Sequence, residues 1–138
     1  KEIRMLLKGK KLRLGAYGDP LAVPFEVWDN ALSYTIGNTG YTHQWKTGDA
    51  RFKKILMASC DNSKEQVKAS ILGYRTFRVK SKLDNLLLDE ISCPASKEAG
   101  VRTSCEKCLL CSGMSKLAKN IAIIAHGNGS ANFERKVA

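Results

Sequence analysis

The sequence has no apolar run that approaches the roughly 18 residues of a membrane span, and its basic start carries no secretory signal. It contains neither G-x-G-x-x-G nor G-x4-G-K-[ST], so neither a dinucleotide-binding enzyme nor a P-loop enzyme is indicated. Internal repeats and low-complexity segments are absent as well. We therefore expect one globular domain in the cytoplasm, without a membrane partner.

Acidic residues are few, since 13 Asp and Glu stand against 23 Lys and Arg and leave a net charge of +10. The basic residues cluster near the start of the chain and again within 75–82. Each Lys or Arg that neutralises a phosphate releases counterions, so such clusters favour a nucleic-acid partner, although a solvated basic surface has the same composition. The residues that we expect to contact phosphate are Lys8, Lys10, Lys11, Arg13, Arg75, Arg78 and Lys80.

The hydrophobic pattern predicts strands that alternate with helices. We expect strands at about 12–16, 40–44, 54–59 and 74–79, a last strand that ends at His126, and helices at 1–9, at 24–34 and from Ser63 onward. Ser63 and Gln66 match a capping box, behind which Val67 and Ile71 would face inward. This order predicts one α/β domain over 1–127 with a parallel sheet of βα units, followed by a loose tail over 128–138.

Several side chains with useful chemistry follow these predicted strands. In βα architectures functional groups gather at the carboxyl ends of the strands. We therefore expect Asp19, His43 and His126 to meet on one rim as a catalytic group. In a plainer interpretation Asp19 only initiates a turn before Pro20, and the two histidines only end their strands.

Three further residues lie near the same predicted rim. Gln44 follows the second strand, and Trp45 lies in a loop from which it could stack on a base or another ring. Cys60 ends the third strand, where a small buried hydrophobe is the expected role of a lone cysteine.

Four of the five cysteines lie within 93–111, as Cys93, Cys105, Cys108 and Cys111. A secreted disulfide scaffold would spread an even number along the chain, so disulfides are not favoured. Zinc fits because Cys105 and Cys108 form a C-x2-C knuckle that two more thiolates would complete. A 4Fe-4S cluster fits the C-x2-C-x2-C run and the Cys93-Pro94 pair, a ferredoxin pattern in another order. The spacing predicts a metal site on the four cysteines and leaves both metals open.

The segments LRLGAYGDP, GYTHQW, ILMASCDNSKEQ, CPAS…CEKCLLC and IAIIAHG together resemble phage and plasmid proteins of the gene-product-88 type. The resemblance runs from Leu12 to Gly127 and implies a radical-SAM-like layout in a bacterial host's cytoplasm. Such a layout is a partial or reduced TIM barrel, here with a Cys-rich metal-binding loop inserted before the last strand. The C-x3-C-x2-C motif of radical-SAM enzymes is absent, so S-adenosylmethionine would be a cofactor only if an upstream half supplies it.

The chain begins without Met and inside a predicted helix, so we expect a missing N-terminal half or a partner chain. Two functions fit these patterns. The first is a metal-binding phage or mobile-element protein that acts as an enzyme on nucleic acid or nucleotides at the strand-end rim. The alternative is a non-catalytic, basic nucleic-acid-binding protein with a structural zinc, or a subunit of a larger assembly.

Overall fold

Parallel strands form the centre of the structure, a computed structural model that describes residues 2–137. The strands are β1 (Lys11–Arg13), β2 (Gly37–Thr39), β3 (Tyr41–Thr42), β4 (Met57–Cys60), β5 (Thr76–Lys80), β6 (Glu90–Ser92) and β7 (Asn120–Ile124). The helices are α1 (Glu2–Leu7), α2 (Phe25–Leu32), α3 (Ser63–Ile71), α4 (Cys105–Cys108) and α5 (Ser130–Val137). Short 3-10 helices occupy Pro20–Ala22, Gln44–Lys46, Ala50–Lys54 and Lys97–Ala99. The predicted α/β class with a parallel sheet is confirmed.

The main sheet has five strands in the order β3-β4-β5-β7-β6, and β1 and β2 form a second, two-stranded sheet. The two sheets join at Gly40, which lies between β2 and β3. The Gly40 carbonyl accepts a hydrogen bond from Met57 N, and its N–H donates to the Cys111 carbonyl. A Cβ at this position would lie 2.7 Å from Leu56 Cδ2 and 2.9 Å from Leu14 Cβ, so only glycine fits. The cysteine-bearing segment is thereby fixed to the junction of the sheets.

The sheet is open rather than closed, since the strands described within 2–137 form no complete barrel. The last strand in sequence, β7, lies between β5 and β6. In a TIM barrel each strand lies beside the one that precedes it. The order at this edge therefore departs from a simple barrel segment, and the chain crosses from β6 to β7 through the cysteine-rich segment.

Apolar side chains pack on both faces of this arrangement. One cluster joins α2 to the loop before β4 through an edge-to-face contact of Phe25 and Phe52, whose ring centroids are 5.4 Å apart. A second lies beneath α3 around Ala69 and Tyr74. The third includes Met57 and Ile121 together with two of the clustered cysteines. The cysteine-rich segment thus packs against the sheet as part of the core.

The start of α3 differs from the predicted capping box by one residue. Asn62 is the N-cap, and its side chain accepts a hydrogen bond from Glu65 N at 2.9 Å. The Glu65 carboxylate in turn accepts from Asp61 N at 3.0 Å. The helix therefore buries Gln66 and Ala69 against the sheet. The prediction that Val67 and Ile71 face inward is wrong, because both are exposed on the opposite side.

Helices lie near both ends of the described range 2–137. The predicted first helix is observed as α1, with Lys1 outside the described residues. Within 128–138, which was predicted to be a loose tail, the structure has α5. Ala138 also lies outside the described residues. The first predicted strand is shorter than expected, because the chain leaves β1 after Arg13 and turns toward Pro20.

Candidate metal centre

The four clustered cysteines line one small cavity. Cys93 directly follows β6, Cys105 and Cys108 are the first and last residues of α4, and Cys111 lies three residues beyond it. These four residues line a space of about 10 Å³ together with Thr39, Pro94, Ala95, Leu109 and Leu110. Residues that are up to eighteen positions apart in sequence are therefore brought to one place.

The turn that carries two of these cysteines has an unusual backbone. Cys105 and Cys108 are three residues apart on one helical turn, so their side chains lie on the same side of it. The turn ends at Leu109, whose φ of 52° makes it the only non-glycine residue within 2–137 with a positive φ. A left-handed leucine costs about 1–2 kcal/mol. Such strain is characteristic of sites where a function determines the backbone.

The thiols differ in exposure. All five cysteines of the chain are free, with Cys105 exposed, Cys108 half-buried, and Cys93 and Cys111 buried. Burial raises the pKa of Cys93 and raises that of Cys111 to about 12. Without a metal, both buried groups are therefore protonated at neutral pH. A metal that binds here must displace their protons, as is usual for thiolate sites.

The thiols share the cavity but do not converge on a point. Across the described part of the chain, no three Cys, His, Asp or Glu side chains are gathered closely enough to hold a metal ion as they stand. A metal that binds here therefore requires the cysteine side chains to move closer together than they are in this structure. The donor set itself, with four sulfur atoms and apolar surroundings, suits a tetrathiolate centre.

A buried arginine holds the segment that follows α4. The Arg75 guanidinium donates to four backbone carbonyls at 2.5–3.2 Å. These belong to Leu110, Ser112, Ala118 and Lys119. Burial lowers the pKa of Arg75, whereas a thiolate at Cys111 would raise it. The arginine thus ties the cysteine-rich segment to the beginning of β5.

Two further residues anchor the same segment. The Ser112 hydroxyl donates to Asn38 Oδ1 at 3.1 Å, and Asn38 Nδ2 donates to the Ile55 carbonyl at 2.8 Å. Gly113 lies so close to the backbone before β4 that a Cβ would be 2.6 Å from the Lys53 carbonyl. The exit of the cysteine-rich segment is therefore fixed by neutral hydrogen bonds and by close backbone contact.

The prediction that the second basic cluster contacts phosphate is wrong. Arg75, Arg78 and Lys80 are only 6%, 2% and 7% exposed, so none of them forms a surface for a polyanion. Arg78 pairs with the Glu90 carboxylate, with Nε and Nη2 at 2.8 and 2.7 Å from its two oxygens. Lys80 donates to the Asp84 carbonyl at 2.6 Å. Arg78 and Lys80 instead hold the loop between β5 and β6 against the sheet.

The first basic cluster is exposed as predicted and borders the cavity. Lys8, Lys10, Lys11 and Arg13 all face solvent. Lys11 Nζ donates to the Glu106 carbonyl in α4 at 2.9 Å. The β1 strand and the helical turn with Cys105 and Cys108 are therefore direct neighbours.

Asp19 and His43 are in contact, but through the backbone of His43: the Asp19 carboxylate accepts hydrogen bonds that stabilise the local backbone. Asp19 caps the 3-10 helix Pro20–Ala22 by accepting from Leu21 N at 3.0 Å, which matches the turn-initiating interpretation. The same carboxylate accepts from the Thr42 hydroxyl at 2.8 Å and from His43 N at 2.9 Å. The His43 side chain itself is exposed.

His126 lies away from this pair. It is exposed just beyond β7, and its Nδ1 is 3.0 Å from the Ile124 carbonyl. In the sheet order β3 and β7 are three steps apart, which corresponds to about 14 Å at the usual strand spacing. His43 and His126 therefore both follow the carboxyl ends of parallel strands, but they are too far apart to act on one substrate atom together.

The remaining predicted residues divide between core and surface. Trp45 is buried and donates from Nε1 to the Ser59 carbonyl at 2.9 Å, so the prediction that it could stack on a base is wrong. Cys60 is a fully buried part of the cluster beneath α3, as the plainer interpretation expected. Burial raises the pKa of Cys60 to about 12. Gln44 is exposed.

No protein-family model matches the chain, and neither a curated protein nor a solved structure shows significant similarity to it. Within 2–137, no helix combines the length and the apolarity needed to cross a lipid bilayer. The function must therefore be inferred from the geometry and chemistry of the residues themselves.

Proposed function

We propose that the protein binds a metal through Cys93, Cys105, Cys108 and Cys111. The observation that carries the proposal is the shared cavity, which all four cysteines line although they are up to eighteen positions apart in the sequence. The strained turn at Leu109, between two of these cysteines, supports it independently. Four protein thiolates would leave a zinc ion no open position, which is the arrangement of a structural site. The metal would then hold the cysteine-rich segment against the sheet.

The size of the cavity favours one ion over a cluster. A space of about 10 Å³ admits about one water-sized sphere. A single zinc ion is comparable in size to this space, whereas a 4Fe-4S cluster is larger than it. The radical-SAM-like layout, the phage origin and the cluster stay predictions beside this proposal.

The test is to purify the protein without oxygen and to measure zinc, iron and sulfide. We expect about one zinc per chain in a colourless protein. Cys105→Ser and Cys108→Ser should each lose most of the metal. Cys60→Ala is the matched control, because it removes the one thiol that lies outside the cavity. A brown protein that contains iron and sulfide would mean that the site holds an iron–sulfur cluster and not zinc. A metal content near zero, or one that depends on Cys60, would refute the site.

A second candidate function is binding to nucleic acid, and the exposed basic strand beside α4 favours it. Alanine replacements of Lys8, Lys10, Lys11 and Arg13 should weaken binding to duplex DNA or to RNA and flatten its dependence on salt. Lys64→Ala with Lys68→Ala on exposed α3 is the matched control. Binding that is unaffected by the first set, or that does not depend on salt, would exclude this function.

Catalysis at the strand ends has less support than either function. The Asp19 carboxylate is already occupied by three hydrogen-bond donors, and His126 lies about three strand spacings from His43. If Asp19 acts only as a cap, Asp19→Asn should lower stability without changing metal content. An enzymatic role for Asp19, His43 and His126 stays a prediction.

A further inference from the structure

Arg75 is a buried cation without an anion. Its side chain is 6% exposed, and within residues 2–137 it belongs to none of the ion pairs. Its guanidinium is surrounded by four carbonyl oxygens, which accept its hydrogen bonds but carry no net charge. Buried charges in proteins are normally paired with an opposite charge or lie beside a metal site. The charge of Arg75 therefore calls for an anionic group nearby.

The position of Arg75 indicates what that group is. Its Nη1 donates to the Leu110 carbonyl at 2.5 Å and to the Ser112 carbonyl at 2.7 Å. These two carbonyls flank Cys111 on either side. The same nitrogen lies 3.9 Å from Met57 Sδ, within the apolar cluster that contains Cys93 and Cys111. The guanidinium thus lies against the backbone of one proposed metal ligand, and its Nη1 makes buried contacts with the Ser112 carbonyl and Met57 Sδ.

The metal centre would supply the missing negative charge. A zinc ion brings two positive charges and four thiolates bring four negative ones, so the loaded site would carry a net charge of about −2. Lys11, which donates to the Glu106 carbonyl between two of the cysteines, is exposed, so solvent screens its charge. Arg75 is the buried cation whose hydrogen bonds reach the backbone beside Cys111.

We propose that Arg75 is the buried counter-charge and positioning residue of the four-cysteine metal centre. This inference rests on the proposed function and deepens it. The guanidinium has two roles. Its Nη1 holds the two carbonyls beside Cys111 while Nε and Nη2 hold those of Ala118 and Lys119, and its charge offsets that of the metal–thiolate group. Lysine keeps the charge but not the fork, and glutamine keeps a hydrogen-bond donor but not the charge. The two substitutions therefore separate the two roles.

The test compares the affinity for zinc of the wild-type protein, Arg75→Lys and Arg75→Gln by competition with a chelator. Replacement of a residue that supports metal ligands typically costs about 10–100-fold in metal affinity. We expect Arg75→Gln to lose affinity in that range and Arg75→Lys to lose less than about tenfold. Arg78→Lys is the matched control, because Arg78 is also buried, three residues further along the chain, but pairs with Glu90. It should leave the zinc affinity unchanged.

A second measurement uses the unaltered protein and so avoids variants that fail to fold. The side-chain Nε–H groups of Arg75 and Arg78 can be followed by NMR in metal-free and zinc-loaded protein. We expect zinc to shift the Arg75 signal and slow its exchange with water, and to leave the Arg78 signal in place.

The outcomes are distinguishable. Equal losses in Arg75→Lys and Arg75→Gln, or no loss in either, would overturn the counter-charge role, as would an Arg75 signal that ignores zinc. A wild-type protein that binds no zinc, iron or cobalt would instead refute the metal centre itself.

Discussion

Arg75 and Arg78 are both buried and lie three residues apart, but their charges are balanced in different ways. We call the first region the Arg78 cluster, formed by Arg78, Glu90 and Cys60, and the second the Arg75 cluster, formed by Arg75 and Cys111. Each holds a buried thiol whose pKa burial raises to about 12. In the Arg78 cluster both carboxylate oxygens of Glu90 accept from the guanidinium. In the Arg75 cluster only neutral carbonyls do.

The fold supplies a counter-charge for one of these two arginines and not for the other. The Arg78 cluster is balanced within the chain, so its role is to hold the loop before β6. The Arg75 cluster has cation and donors for a thiolate centre but, in the described residues, no anion. A metal bound by the cysteines would make the two clusters equivalent.

The largest effect should come from Glu90→Leu, which breaks the balanced cluster. It leaves Arg78 buried without its partner, and removing one member of a buried pair costs about 3–5 kcal/mol. Urea denaturation of the metal-free protein measures this as a lower free energy of unfolding. The double variant Arg78→Met/Glu90→Leu should recover most of the loss. A cost below about 1 kcal/mol for the single change would contradict a desolvated pair.

Arg75→Gln should cost less in the metal-free protein, about 2–3 kcal/mol, because it leaves carbonyls without donors but no unpaired charge. The same urea experiment applies. If the loss matched that of Glu90→Leu, Arg75 would already have an anionic partner, and the contrast between the clusters would be gone.

Because the Cys60 thiol is buried, the free energy of unfolding of the metal-free protein should depend on pH. Its pKa is raised from 9.0 to about 12 in the folded state, so above about pH 9 the unfolded chain loses this proton first. The stability contributed by the thiol is therefore present below pH 9 and declines as the pH rises toward 12, by about 1.4 kcal/mol per pH unit.

The check is urea denaturation of wild-type protein and Cys60→Ala at several pH values between 8 and 11. The variant should be less stable at pH 8 but should lose less stability at high pH. An identical slope in both proteins would mean that the Cys60 thiol is accessible to water in solution.

The smallest effect concerns the turn between the cysteines. Leu109→Gly removes a left-handed leucine, a gain of about 1–2 kcal/mol, and loses a half-buried side chain, so the net change should stay within about 1 kcal/mol. Leu110→Gly has no strain to relieve and should cost clearly more. If both changes cost the same in denaturation experiments, the strain at Leu109 would not exist in solution.

The sequence predicted the fold class and the location of the cysteine-rich segment because their signals are local. Alternating apolar residues and turn residues identify strands such as β5, and the spacing of Cys105, Cys108 and Cys111 is visible in a few positions. The cap of α3 was displaced by one residue, because Asn62 and Ser63 are both good caps and the sheet determines which face is buried.

The buried cations could not be predicted in the same way. Charged residues are normally exposed, and the partner of Arg78, Glu90, lies twelve positions away at the start of β6. Arg75 binds backbone carbonyls, which leave no signature in the side chains around it. Trp45 likewise lies in a segment predicted to be a loop, but the segment forms a 3-10 helix in which Trp45 is buried. Its indole is held there by a hydrogen bond to the Ser59 carbonyl, which the sequence does not reveal.

The most direct measurement is a cobalt titration of the metal-free protein, followed by visible absorption. Cobalt in a tetrahedral site of four thiolates gives intense bands that report both the donors and the geometry. We expect saturation at about one equivalent, loss of the bands in Cys105→Ser and Cys111→Ser, and unchanged bands in Cys60→Ala. An absorption that never saturates, or one that survives loss of Cys111 but not of Cys60, would contradict a metal centre in this cavity.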